Sequence, residues 1–119
     1  MKPTRILLHL AESNRLLVEP DEIYYIEASK DDSLVRLRGK TPLRDVRQLG
    51  EVETALADRG FLRIHTKYLV NLAHIRQIRK RKGSDDWEVK LDAPVNKVLP
   101  VSRGEVGKVW EALRVSSVL

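Results

Sequence analysis

Phe61-Leu62-Arg63-Ile64-His65-Thr66-Lys67-Tyr68-Leu69-Val70-Asn71-Leu72 decides the class of fold. Phe61 to Ile64 has strand character, His65-Thr66-Lys67 is a polar break, and Tyr68 to Leu72 resumes the apolar run. Strands joined by so short a turn pair antiparallel, since a parallel pair needs a crossover of a dozen residues or more. Downstream, Arg76-Gln77-Ile78-Arg79-Lys80-Arg81-Lys82 reads as a strand running into a charged hairpin tip that ends at Asp86. Trp87-Glu88-Val89-Lys90-Leu91 alternates apolar and polar and is the return strand. Val98-Leu99-Pro100-Val101 is a last short strand. Ser102-Arg103-Gly104-Glu105 has the form of a capping box, in which the Ser102 hydroxyl accepts from the Glu105 N–H. Val106, Val109, Trp110 and Leu113 then lay one apolar stripe along a C-terminal helix. Val115 to Leu119 reads as a frayed tail.

Upstream, Leu49, Val52 and Leu56 mark a short middle helix that Gly60 stops at a C′-like position. Pro42 places the strand over residues 40–46 at an edge, or makes it irregular. Leu34 to Arg38 alternates, with Val35 and Leu37 on one face and Arg36 and Arg38 on the other. Lys30-Asp31-Asp32-Ser33 reads as a polar loop, and Ile23 to Ala28 as a strand whose Tyr24 and Tyr25 alternate to opposite faces. Arg5 to Leu10 and Arg15 to Glu19 are strands around a Glu12-Ser13-Asn14 turn. Many short strands with one helix in the middle and one at the end predict an α+β or mostly β sandwich. No repeat, linker or boundary divides the chain, so residues 1–119 read as one domain.

At 119 residues there is room for one core and none for a separate catalytic domain of ordinary size. Aromatics are only 5%, so aliphatic residues must form most of that core. Twenty-two Lys and Arg against 17 Asp and Glu give a net charge of +5, which favours a polyanionic partner, nucleic acid or an anionic membrane surface. The absence of cysteine excludes disulfides, thiolate metal sites and cysteine nucleophiles, and fits a cytoplasmic protein. No apolar run approaches the ~18 residues of a membrane span and no signal pattern follows Met1, so a soluble chain is expected. Met1, a few residues ahead of the first strand, favours a free-standing chain over an excised domain.

Catalysis has little to stand on. His9, His65 and His74 share no metal-ligand spacing, and the six glycines form no phosphate-cradling loop. Asp31-Asp32 and Asp85-Asp86 are adjacent acidic pairs of the kind that loops expose to water. No enzyme, metal or cofactor is expected.

Three segments, in order and correctly spaced, resemble the LytTR family of DNA-binding domains. Phe61, Arg63, His65, the Val70-Asn71 pair and Ile75 stand where the family has Phe, Arg, His, Val-Asn and Ile. Leu99-Pro100-Val101-Ser102-Arg103 resembles its closing motif, and Val18 to Ala28 its opening strand. Leu49 to Leu56 matches its middle helix, so the likeness runs over about residues 5–114. It implies an elongated sandwich of small antiparallel sheets that inserts loops, not a recognition helix, into successive major grooves of duplex DNA. A bacterial, response-regulator-like transcription factor follows, occupying repeated sites as two copies under an unidentified sensor or regulatory partner.

Carried over residue by residue, the resemblance makes Arg103 the base-reading arginine, with Thr66 and Ser33 as further base contacts. Lys30, Arg63, His65, Lys67, Arg81 and Lys82 would contact the backbone or line the loops. Several have a second reading. Arg63 also fits a solvated strand face, His65 a hydrogen-bonded structural histidine, and Arg79 to Lys82 a merely charged hairpin tip. Asp31-Asp32 beside Ser33 repels phosphate, which makes Lys30 the alternative contact of that loop. Asn71 reads as structural, its amide closing a turn. Tyr24, Tyr25, Phe61, Trp87 and Trp110 read first as core. The rival functions are a basic β sandwich docking an acidic protein partner, and an RNA-binding or membrane-tethering domain.

Overall fold

The computed structural model describes residues 4–39 and 41–114. The expected frayed tail, Val115 to Leu119, lies outside the described residues, as does Lys40. In chain order the elements are β1 (Ile6–His9), β2 (Arg15–Val18), β3 (Ile23–Ser29), β4 (Asp32–Leu37), β5 (Leu43–Asp45), α1 (Leu49–Ala55), β6 (Phe61–His65), β7 (Tyr68–Asn71), β8 (Ile75–Lys80), β9 (Trp87–Leu91), β10 (Val98–Val101) and α2 (Val106–Ala112). The strands form three antiparallel sheets: β1-β2, the central β5-β4-β3-β7-β6, and β10-β9-β8. Among the described residues the fold is mostly β, with small sheets and two short α-helices. Pro42 precedes β5, which is an edge strand as expected.

The central sheet is apolar on both faces, and each face has its own core. On one side Ile23, Ile26, Val35, Leu37 and Leu69 pack against Ile6, Leu8 and Val18 of the first sheet and Leu49, Val52 and Leu56 around α1. On the other, Tyr24, Tyr25, Ile64 and Val70 meet Val89, Leu91, Leu99 and Val101 of the third sheet and Val109 of α2. Three sheets stacked in this way make a body of 45 × 35 × 26 Å. Each wholly buried Leu or Ile contributes roughly 1.5–3 kcal/mol through the apolar area it removes from water.

A bulge in β3 decides which residues reach which core. Ile23 pairs with Leu37 but Tyr25 pairs with Arg36, so Tyr24 is an extra residue in the ladder. One inserted residue breaks the two-residue period of side chains. Both tyrosines therefore face the second core and Ile23 and Ile26 the first, which corrects the expected alternation of Tyr24 and Tyr25.

Other local expectations are corrected by tighter backbone bonding. The Ser102 hydroxyl makes no capping bond. The Glu105 N–H instead donates to the Ser102 carbonyl at 2.8 Å, closing a one-turn helix over Arg103–Glu105 before α2 begins. Helix α1 ends at Ala55 rather than at Gly60. Gly60, at φ 85, belongs to the turn that delivers the chain into β6, where its lack of a Cβ permits that angle. Trp110 is 48% exposed rather than core. It lies edge-on against Trp87, with ring centroids 5.4 Å apart.

Candidate nucleic-acid interface

Three chain reversals meet at one end of the stack. Strands β3 and β4 are joined by the two residues Lys30 and Asp31, with Lys30 at φ 55. The Ala28 N–H donates to the Lys67 carbonyl at 2.8 Å, which sets the β6–β7 turn beside the end of β3. The Ser102 N–H donates to the Ile64 carbonyl at 2.8 Å, so the segment carrying Arg103 lies against β6 next to the same turn. The tip of the β8–β9 hairpin closes the far side of a cleft of about 500 Å³ that brings His65, Arg81, Asp86 and Arg103 together. Lys30, Thr66, Lys67, Arg81, Lys82 and Arg103 are all exposed to solvent.

The Arg103 side chain is 83% exposed. Its Nε donates to Asp86 Oδ1 at 2.9 Å across 17 positions of sequence. That bond, and the guanidinium charge behind it, hold the Asp86 carboxyl below its ordinary pKa. Asp86 is itself fixed: its N–H donates to Ser84 Oγ at 3.0 Å, and its carbonyl accepts from the Arg81 N–H at 2.7 Å.

The β6–β7 turn is held from inside. His65 Nδ1 accepts from the Lys67 N–H at 3.1 Å, which in the neutral ring leaves the proton on Nε2. Arg63 spends its donors within the protein, on Glu53 Oε1 at 2.8 Å, the His65 carbonyl at 2.9 Å and the Thr66 carbonyl. Arg63 therefore clamps the turn that carries Thr66 and Lys67, with three of its five N–H groups engaged inside the protein. One His65 nitrogen closes the turn, as the structural reading has it, and the ring lines the cleft.

Ser33 is corrected outright. Because the β3–β4 turn has only two residues, Ser33 falls inside β4, fully buried, and its hydroxyl donates to the Arg47 carbonyl at 2.8 Å. A side chain enclosed there cannot touch a base. It belongs instead to a knot at the sheet edge. The buried Asp45 carboxylate accepts from Arg47 Nε at 2.9 Å and Nη2 at 2.8 Å, and from the backbone N–H groups of His9 and Arg47. Burial alone would raise the Asp45 pKa, but these four donors outweigh it and hold the carboxyl below its ordinary value.

The acidic pairs that the sequence leaves to water each engage an arginine. Asp32 binds Arg44 at 2.5 Å and Asp86 binds Arg103, so one carboxylate of each pair is partly neutralised. These pairings are remote in sequence, and no motif announces them. Asn71 is structural as read: its amide donates to the carbonyls of Pro20 and Ile23 and its oxygen accepts from the Ala73 N–H. His74 stacks on Tyr24 at 3.8 Å, and its Nε2 donates to the Asp21 carbonyl at 2.6 Å. Among the described residues no group of His, Asp or Glu is arranged to hold a metal ion, and no helix is long and apolar enough to cross a membrane.

The family model of the LytTr DNA-binding domain matches residues 13–114. A stretch of 67 residues is 34% identical to the CO-responsive transcriptional regulator RcoM of Rhodospirillum rubrum, covering 56% of this chain and 28% of that protein. A solved LytTr DNA-binding domain from Bacillus cereus superposes with a TM-score of 0.74 at 20% identity, over 96% of this chain and all of that one, and so shares its fold. The chain belongs to the LytTR family of DNA-binding domains.

Proposed function

We propose that this domain reads the sequence of duplex DNA through turns entering the major groove, as the DNA-binding part of a transcription regulator. The observation that carries the reading is the gathering of Lys30, Thr66, Lys67, Arg81 and Arg103 at one end of the stacked sheets. Arg103 has the reach and donor geometry to bind guanine O6 and N7 together, a pairing worth about 1–3 kcal/mol of discrimination. Thr66 offers a hydroxyl and a methyl group to a base edge. Lys30, Lys67, Arg81 and Lys82 set register through phosphates, which are charged alike at every sequence and carry no information. The His65 Nε2–H is a further phosphate donor. The regulatory role rests on the likeness to RcoM, described as a CO-responsive transcriptional regulator. The input to the present chain, a sensor partner and binding as two copies on repeated sites belong to the same proposal.

The test is selection of bound duplexes from a random pool. A recovered motif with guanine at a fixed position supports the reading. Enrichment of no sequence contradicts it, and favours a basic module that docks an acidic protein.

A further inference from the structure

Deepening the reading of Arg103 as a base contact, on which it rests, we infer that Asp86 is the positioning residue that makes this arginine read a base instead of gripping phosphate. The guanidinium is planar and carries one N–H on Nε and four on the two Nη atoms. Asp86 Oδ1 engages Nε at 2.9 Å. That bond restrains the guanidinium and leaves its Nη groups, which have no protein partner among the described residues, as a two-pronged donor of the kind that matches two adjacent acceptors on a base edge.

Two physical consequences follow. An arginine 83% exposed loses rotamer freedom when it docks, and prior anchoring by Asp86 removes part of that cost. The carboxylate also offsets the arginine's charge, weakening its attraction to phosphate wherever the protein lands. Asp86 therefore lowers affinity for DNA in general and raises discrimination at one base pair. The anchor is rigid because Asp86 is tied through its own backbone to Ser84 and Arg81 within the β8–β9 hairpin tip. The charged tip thus acts on specificity through Arg103, in addition to any phosphate it holds.

Competition binding tests this with the duplex recovered by selection, a scrambled duplex, and single base-pair variants of the selected one. The proteins compared are the wild type, Arg103→Ala, Asp86→Ala and Asp86→Asn. Asparagine keeps an oxygen that accepts from Nε but lacks the charge. The expected result is that Asp86→Ala loses about tenfold discrimination at the pair read by Arg103 while holding or gaining affinity for scrambled DNA. Asp86→Asn should keep most of that discrimination. Equal loss in both Asp86 variants would mean that charge alone matters, and retention in both would mean no role; either overturns the inference. If Arg103→Ala abolishes discrimination at one pair and Asp86→Ala leaves it intact, positioning fails while base reading stands. If Arg103→Ala changes no pair, the reading beneath the inference fails as well.

Discussion

The Ser33 hydroxyl donates to the carbonyl of Arg47 at 2.8 Å from a fully buried position in β4. It joins the strand to the segment leading into α1 and supplies a partner that the Arg47 carbonyl would otherwise lack. Ser33→Ala should therefore destabilise the fold by about 1–2 kcal/mol, the cost of an unpaired buried acceptor. DNA preference should be unchanged. Urea unfolding gives the first quantity and competition binding the second; a lost preference at full stability would return Ser33 to the interface.

Asp45 lies at the centre of the same knot. Its folded pKa is below the ordinary 3.8, so it contributes stability that is fully present above that value and is lost as pH falls through the folded pKa. Asp45→Ala should cost about 3 kcal/mol near neutral pH, because Arg47 is then left with an unpaired charge that is mostly buried. The difference between wild type and variant should shrink below about pH 4, as protonation removes the same interaction. Thermal melts at pH 7 and pH 3 provide the check, and a gap that is constant with pH contradicts this account of Asp45.

Strands and chain class are legible in this sequence because half-buried strands carry a period of two, as in Trp87 to Leu91. The candidate interface is legible only through the family resemblance of the segments that carry His65 and Arg103. What hides is whatever depends on one residue's offset or on a remote partner. The bulge at Tyr24 turns two neighbouring tyrosines to the same core, and nothing in the composition of β3 marks it. Shortening the Lys30 reversal to two residues moves Ser33 from a loop into the interior. Asp86 and Arg103 meet because β9 and β10 pair antiparallel with Trp87 opposite Val101, a relation that local periodicity does not contain.

Duplex binding should weaken steeply with salt. If about 5–7 phosphates are neutralised by each domain, log K falls against log salt with a slope of about −4 to −6. Titrations between low and physiological salt measure it, and a flat response contradicts an electrostatic footprint.

In solution the domain should be a monomer, since neither seven-residue helix is long enough for a coiled coil. Two copies should assemble on a duplex bearing two repeats. Light scattering with and without DNA distinguishes this from a preformed dimer, which would contradict the expectation.

The central claim is that Arg103 reads sequence while the other cations supply charge. Arg103→Ala and Lys82→Ala each remove one positive charge, so a pure charge effect would make them alike. Competition between the selected and scrambled duplexes, on variants with unchanged melting temperature, separates the two. Arg103→Ala should lose about 1–3 kcal/mol on the selected duplex, with preference relaxed at one base pair. Lys82→Ala should weaken both duplexes nearly equally and flatten the salt slope by about 1. If Arg103→Ala instead lowers affinity for scrambled DNA as much as for the selected site, Arg103 does not read sequence and the assignment of this interface is wrong.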